Sequence, residues 1–338
     1  MRKTNILFFI FIILVFNVFS IPWPIKPFNE PHDIRMGYGQ FAEDPSGRSY
    51  IHEGIDIFAE EGTPVFAVQD GIVVQVSRWE VDKYDEYIVV AFSPANSEAW
   101  GYVHLEVGIN PENQIRWKRG DTVHAGDKLG NVDKNDFGIF FSHLHFEYDN
   151  DLDGWQVNLI DTNPSLNGDP IEFLIPNKDT TPPIIQEVYF RNGDDEGNDF
   201  ANYFTNMSND RVVIYANIDI IVNSYDIYCN SNSILGVQRI GFYISGENNI
   251  TEQILDEFSG MFIQPPGSFN QFVHSDLVNV IYEEDNTIDS YEDIGNGLNH
   301  RLFYILTNKD EDELLESNDR NRYWNTDVNN MTDNTWNT

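Results

Sequence analysis

The sequence contains almost no cysteine and few basic side chains. Cys229 is the only cysteine among 338 residues, so no disulfide can form within the chain. Lys and Arg together number 20 against 55 Asp and Glu, which gives a formal net charge of -35 at pH 7. A surface of this sign repels nucleic acid and anionic lipid. These shortages exclude a disulfide scaffold, argue against a nucleic-acid partner, and leave packing and bound metal to stabilise the fold.

Long apolar runs are also scarce. The run from Ile6 to Phe16 is shorter than the roughly 20 residues needed to cross a bilayer. It follows Arg2 and Lys3 and leads to the small residue Ser20, an order typical of a secretory signal peptide. An uncleaved membrane anchor is the alternative. We expect residues 1–20 to be removed, and the mature protein to be periplasmic or extracellular without stable membrane insertion.

The region from Val65 to Phe146 consists of short runs of Val, Ile, Phe and Tyr broken by Gly and Asp. This pattern predicts β-strands with few helices. Residues 62–73 and 120–132 echo each other, and each copy predicts a strand, a tight turn and a returning strand. Similar pairs occur in lipoyl-type carriers, but Lys83 lacks the pattern expected around a carrier lysine.

The composition changes between Pro164 and Pro183, where prolines and small polar residues predict a linker at 177–183. Alternating apolar residues beyond it predict antiparallel strands, and therefore an immunoglobulin-like β-sandwich at 184–310. The strands are expected at residues 184–190, 211–222, 237–245 and 302–307. The acidic, Asn-rich segment 311–338 is expected to be poorly ordered.

Histidines are the most informative residues in the chain. His52 and Asp56 lie four apart around Gly54, where a turn can bring both to one metal ion. His143 and His145 lie two apart in a predicted strand and so share one face. A surface turn and a structural histidine pair at a strand edge are the alternatives for these motifs.

His104 lies in a third predicted strand, after Tyr102, and alone would be interpreted as a surface histidine. Together the three motifs supply three zinc ligands and two spare imidazoles. Structural zinc is usually closed by four protein ligands, whereas catalytic zinc keeps a position for water. The combination therefore favours a catalytic zinc site.

In order and spacing, these motifs resemble the lysostaphin/LytM-type zinc endopeptidases. The resemblance covers residues 35–164 and is carried by His52-x-x-x-Asp56, Tyr102-x-His104 and His143-x-His145-Phe146-Glu147. It implies an all-β fold, the antiparallel duplicated hybrid motif, for a peptidase domain at residues 21–176. It also implies that His52, Asp56 and His145 bind Zn²⁺, and that His104 and His143 are the catalytic residues beside the attacking water.

The function implied by the resemblance is hydrolysis of amide bonds in the peptide part of bacterial peptidoglycan. One alternative is a non-catalytic wall-binding module that activates other wall hydrolases, and another is a peptidase acting on secreted proteins. Residues 135–142, before the final His-x-His, are bulkier than the family pattern, and residues 35–40 lack the basic residue that is common at the end of the family's entry segment. The other histidines are interpreted as structural or surface residues: His32, His124, His274 and His300.

Overall fold

A computed structural model describes the chain in separate pieces, most fully between residues 20 and 149. The described residues are 20–43, 49–52, 54–78, 86–93, 98–133, 142–149, 169–177, 179–192, 207–208, 211–212, 217–228, 234–237, 240, 303–305 and 324–325. The predicted signal peptide at 1–20 lies outside them except for Ser20. Most of segment 135–142 lies outside them as well.

The described elements are strands, apart from one 3₁₀ helix at Pro170–Glu172. Those of the first region are β1 (Ile34–Met36), β2 (Phe41–Glu43), β3 (Ser49–Ile51), β4 (Ile55–Phe58), β5 (Pro64–Phe66), β6 (Gly71–Arg78), β7 (Glu86–Ser93), β8 (Glu98–Val107), β9 (Thr122–Val123), β10 (Lys128–Val132) and β11 (His143–Asp149). Those of the second are β12 (Ile184–Asn192), β13 (Met207–Ser208), β14 (Arg211–Val212), β15 (Asn217–Tyr225), β16 (Phe303–Ile305) and β17 (Trp324–Asn325).

Nine of the first eleven strands form one antiparallel sheet. Its order is β1-β4-β11-β8-β7-β6-β9, and β10 pairs with both β8 and β5. The all-β, antiparallel fold class predicted for this region is confirmed. No helix among the described residues is long and apolar enough to cross a membrane.

The internal repeat pairs in an unexpected way. The sequence predicts a hairpin within each copy, but the copies exchange strands: β5 pairs with β10, and β6 pairs with β9. The two turns also bond across the pair, since Ala125 N donates to Asp70 Oδ1 at 2.8 Å. Local periodicity identifies each strand, but it does not distinguish a partner within the copy from one in the other copy.

The core lies on the face of the sheet opposite His143 and His145. On β11 the intervening Leu144 and Phe146 are fully buried, and Trp100 stacks on Phe146 with ring centroids 5.2 Å apart. The segment after Ser20 belongs to this core as well: Trp23 is fully buried and donates from Nε1 to Pro176 O at 3.1 Å.

The buried Glu86, with two half-exposed arginines, ties three strands of this sheet together. Glu86 on β7 accepts from Arg78 Nη2 at 2.6 Å and from Val107 N at 3.0 Å, and it pairs with Arg116 at 2.7 Å. Burial acts to raise the pKa of Glu86, but these donors outweigh burial and lower it. The stabilisation is therefore present above the ordinary glutamate pKa and is lost as the pH falls through the lowered value.

Replacing Glu86 with glutamine is expected to lower the free energy of unfolding at pH 7 by about 1–3 kcal/mol, because three charge-assisted or buried bonds are weakened. Urea unfolding at pH 7 and at pH 3 measures this. The difference between the variant and the wild type should shrink at the lower pH. Glu106→Gln, at an exposed position on β8, is the control and should change stability little.

The second region forms a smaller antiparallel sheet in the order β12-β15-β16, with β17 also pairing with β15. The predicted strands at 184–190 and 302–307 are found as β12 and β16. Of the strand expected at 237–245, the structure describes residues 237 and 240, and neither is in a strand. The sandwich topology stays a prediction. Within the expected tail, Trp324–Asn325 pairs with Asn217–Ile218, and the rest lies outside the described residues.

Candidate metal centre

Strand pairing brings the three predicted ligands together. Asp56 on β4 and His145 on β11 are register partners, and His52 lies just before β4. The three side chains place ligand atoms within 4.8 Å of one another. They form the only group of this kind among the residues that the structure describes.

The ligand atoms are His52 Nε2, Asp56 Oδ1 and His145 Nδ1. The distance between the two nitrogens is 2.9 Å, and Asp56 Oδ1 lies 3.1 Å from His52 Nε2 and 2.9 Å from His145 Nδ1. All three residues are at most 9% exposed. The atoms form a small triangle shielded from bulk water.

The outer nitrogens of both imidazoles have their own acceptors. His52 Nδ1 donates to Gly37 O at 3.0 Å, and His145 Nε2 donates to Glu147 Oε1 at 2.5 Å. These bonds place the ring protons on the outer nitrogens and direct the lone pairs inward. A carboxylate behind a histidine ligand is a common feature of zinc sites, where it orients the ring.

This donor set fits zinc. With the ring protons outside, three electron-rich atoms face one another, an arrangement that is unfavourable unless a cation lies among them. Ligands about 2.0 Å from a tetrahedral zinc lie about 3.3 Å apart, close to the distances found. Two nitrogens and one carboxylate oxygen are also the ligand types of catalytic zinc.

The electrostatics of the cluster favour positive charge at its centre. Burial opposes a charged imidazole, yet Glu147 and Asp56 outweigh it and raise the pKa of His145 to about 10, so its inward nitrogen holds either a proton or a metal ion. Burial acts to raise the pKa of Asp56 too, but the neighbouring imidazoles, with His143 and His52 foremost, hold it well below the ordinary value. The site therefore keeps its carboxylate ionised.

Gly54 allows the chain to pass close to β11. A Cβ atom there would lie 2.6 Å from Phe146 O, 2.9 Å from Glu147 Cγ and 3.0 Å from His145 Nε2. Backbone cannot move away as a flexible side chain can, so any larger residue must displace β4 from β11. The turn between the first two ligands therefore requires glycine.

A Gly54→Ala variant is expected to bind zinc at least about tenfold more weakly, because it pushes against both His145 and its partner Glu147. Competition with a chelator of known affinity measures the change. In Gly62→Ala, a Cβ meets nothing within 4 Å but the backbone has φ +81°. This control should lose some stability and keep its zinc affinity; equal losses of affinity in both variants would contradict the prediction.

His104 and His143 lie beside the cluster. Their ring centroids are 4.6 Å apart, and that of His104 is 6.0 Å from that of His145. His143 Nε2 is 3.5 Å from Asp56 Oδ2. Both residues are partly exposed, so they face the side from which a substrate can approach.

The backbone of His104 is in the left-handed region, with φ 62°. Few residues other than glycine and asparagine adopt this conformation, and non-glycine examples are enriched at functional sites. A bond from Asp133 N to His104 O at 2.9 Å helps to hold it. The structure thus brings all five predicted site residues together.

Sequence reasoning missed the partners behind the ligands. Glu147 lies two residues after His145 on the same face of β11, so the strand period of two was a signal for it. Gly37 O and the loop that carries it had no such signal, because Gly37 and His52 are fifteen residues apart in the sequence and strand periodicity does not relate them.

His124 is exposed, as expected for a residue outside the cluster, and its side-chain exposure is 57%. His32 Nε2 donates a hydrogen bond to Pro27 O at 3.0 Å. His274 and His300 lie outside the described residues.

The fold and cluster form an all-β domain with a His-Asp-His site flanked by two further imidazoles. Residues 50–159, which include all five site residues, match the family model described as "Peptidase family M23". The resemblance seen in the motifs is thereby confirmed for this part of the chain. No curated protein sequence matches the chain.

Solved structures similar to the chain include three peptidases. A zinc-containing peptidase from Vibrio cholerae is 23% identical over 39% of this chain and 36% of its own, with a TM-score of 0.28. The catalytic domain of lysostaphin from Staphylococcus simulans is 27% identical, covering 35% of this chain and 79% of its own, with a TM-score of 0.28.

The third is the catalytic domain of a prophage-encoded M23 protein from Enterococcus faecalis. It is 25% identical, covers 36% of this chain and 84% of its own, and has a TM-score of 0.28. The alignment with the Vibrio cholerae peptidase thus takes in about a third of that protein's length.

Proposed function

We propose that this protein is an exported zinc metalloendopeptidase that hydrolyses amide bonds in the peptide part of bacterial peptidoglycan. The observation that carries the proposal is the triangle of His52, Asp56 and His145 with two partly exposed imidazoles beside it. A structural metal site needs no such spare imidazoles. The match to peptidase family M23 supports the same activity.

In this proposal His52 Nε2, Asp56 Oδ1 and His145 Nδ1 hold the ion, with His52 oriented by Gly37 and His145 by Glu147. When bound, zinc supplies a Lewis acid and lowers the pKa of water. One of the two neighbouring imidazoles, His104 or His143, accepts a proton from the attacking water and later passes it to the leaving amine. The other donates a hydrogen bond to the carbonyl oxygen as it becomes negative.

Export is supported by the sequence of residues 1–20, with its basic start and apolar run. The substrate class is supported by the family resemblance of residues 35–164. The net charge of -35 leaves nucleic acid and anionic lipid unfavourable as partners.

The test is release of new amino groups from purified peptidoglycan by residues 21–338, with and without chelator, beside a His145→Ala variant. Release that requires metal and is absent in the variant supports the proposal, and the fragments identify the bond. Zinc bound at one equivalent without release contradicts it, and instead favours a binding and activating role or a secreted protein substrate. Incubation with unfolded casein, and with a second wall hydrolase, separates those two alternatives.

A further inference from the structure

A buried glutamine links the metal centre to the C-terminal region. Gln40 is 1% exposed, and its Oε1 accepts hydrogen bonds from Gly37 N at 3.0 Å and from Gly236 N at 3.2 Å. The two donors are almost two hundred residues apart in sequence. Because both are backbone N–H groups, the acceptor oxygen of the amide must face them.

On one side, Gln40 is tied to the first metal ligand. Gly37, whose N–H it accepts, offers its carbonyl to His52 Nδ1 at 3.0 Å. The backbones join twice more: His52 N donates to Gln40 O, and Gly39 N donates to His52 O, each at 2.8 Å. Loop 37–40 therefore sets both the position of His52 and the direction of its lone pair.

On the other side, Gly236 belongs to a segment that contacts both sheets. Its neighbour Leu235 is buried within the core of the first sheet, and so is Tyr228, whose ring centroid is 6.4 Å from that of Trp23. Val237 N donates to the hydroxyl of Tyr304, a fully buried residue of β16, at 2.9 Å. The second sheet is thus connected to the loop that carries Gly37.

The amide of Gln40 has an energetic cost. Its Nε2 is buried and has no hydrogen-bond partner among the described residues, and such a donor costs about 1–3 kcal/mol. The two hydrogen bonds that Gln40 Oε1 accepts offset the cost of the unpaired Nε2. A purely structural filler of this space would be apolar, since an apolar side chain carries no such cost.

We propose that Gln40 is a positioning residue for the metal ligand His52, and that the C-terminal region supports the metal centre through Gly236. This inference rests on the proposed function, because it requires that His52 bind the metal. It gives the C-terminal region a role in forming the peptidase site, whatever else that region binds.

The test is the affinity of residues 21–338 for Zn²⁺, measured by competition with a chelator, together with the visible absorption spectrum after loading with Co²⁺. Gln40→Met keeps the size of the side chain and removes the acceptor. It is expected to weaken zinc binding about tenfold and to change the cobalt spectrum, because His52 loses its fixed orientation. Gln40→Glu keeps an acceptor oxygen and should restore affinity to within about threefold of the wild type.

Gln69→Met is the matched control. Gln69 accepts from Trp100 Nε1 at 3.2 Å, so its replacement also leaves a donor without its acceptor, but it has no link to His52. It should lower the melting temperature and leave the zinc affinity unchanged. Wild-type affinity in Gln40→Met, or an equal loss in Gln69→Met, would overturn the inference.

A more distant change tests the connection to the second sheet. Tyr304→Phe removes the acceptor of Val237 N and is expected to weaken zinc binding about threefold, whereas Tyr189→Phe, on β12, should not. If Gln40→Met does not fold, the comparison of Tyr304→Phe with Tyr189→Phe decides. Equal zinc affinities in these two variants would overturn the inference. A wild-type chain that binds no zinc would instead show that the proposed function itself has failed.

Discussion

Asp56→Asn is expected to bind zinc at least about a thousandfold more weakly and to lose measurable hydrolysis. The substitution keeps the shape of the side chain but removes the negative charge that lies 3.1 Å from His52 Nε2 and 2.9 Å from His145 Nδ1. A buried cation then has two neutral imidazoles and no anionic ligand, so its loss of hydration is no longer compensated. Metal content after dialysis and competition with a chelator measure the change.

The control for this variant is Asp33→Asn. Asp33 is exposed and lies just before β1, next to the same part of the sheet. Its replacement removes one negative charge without touching the cluster. It should keep full zinc content and activity. If Asp56→Asn retained tightly bound zinc, the ion would be held elsewhere and the assigned ligand set would be wrong.

The five site residues were within reach of sequence reasoning because their spacing is local. The period of two in a strand places His143 and His145 on one face, and the turn at Gly54 joins His52 to Asp56. Each motif can therefore be recognised within fewer than six consecutive residues. That the motifs share one ion was implied by the family resemblance, whereas the pairing of β4 with β11, which brings them together, was not predicted.

The contacts that support the site could not be predicted in the same way. Gly54 is required because β11 passes 2.6 Å from where its Cβ would lie, and that approach depends on a strand more than ninety residues away. The bond between Gly236 and Gln40 joins two irregular segments, for which hydrophobic periodicity gives no register. The exchange of strands between the two repeat copies could not be predicted either, because local periodicity identifies each strand but not its partner.

Export, the domain boundaries and the immunoglobulin-like topology remain predictions. The second sheet shows that β12, β15 and β16 pair antiparallel, with Arg191 and Asp219 forming a buried ion pair at 2.8 Å across β12 and β15. A sandwich needs a second layer packed on this one. The residues that would form it lie largely outside the described part of the chain.

Replacing either spare imidazole is expected to separate catalysis from metal binding. His143→Ala and His104→Asn should each lower kcat by about 10²–10⁴-fold, the usual contribution of a positioned general acid or base. Both should keep one equivalent of zinc and change KM little. Asparagine is chosen for His104 because its backbone has φ 62°, a conformation that asparagine tolerates and most residues do not.

In the double variant, kcat should fall about as far as in the more impaired single variant. The two imidazoles, with ring centroids 4.6 Å apart, serve the same turnover, so the effects of losing each are not additive. His124→Ala, at an exposed position remote from the cluster, should leave kcat unchanged. A His143→Ala variant that lost its zinc would make His143 a ligand, since its Nε2 lies 3.5 Å from Asp56 Oδ2. Retained zinc with reduced kcat in both variants would instead place the proton transfers on this pair.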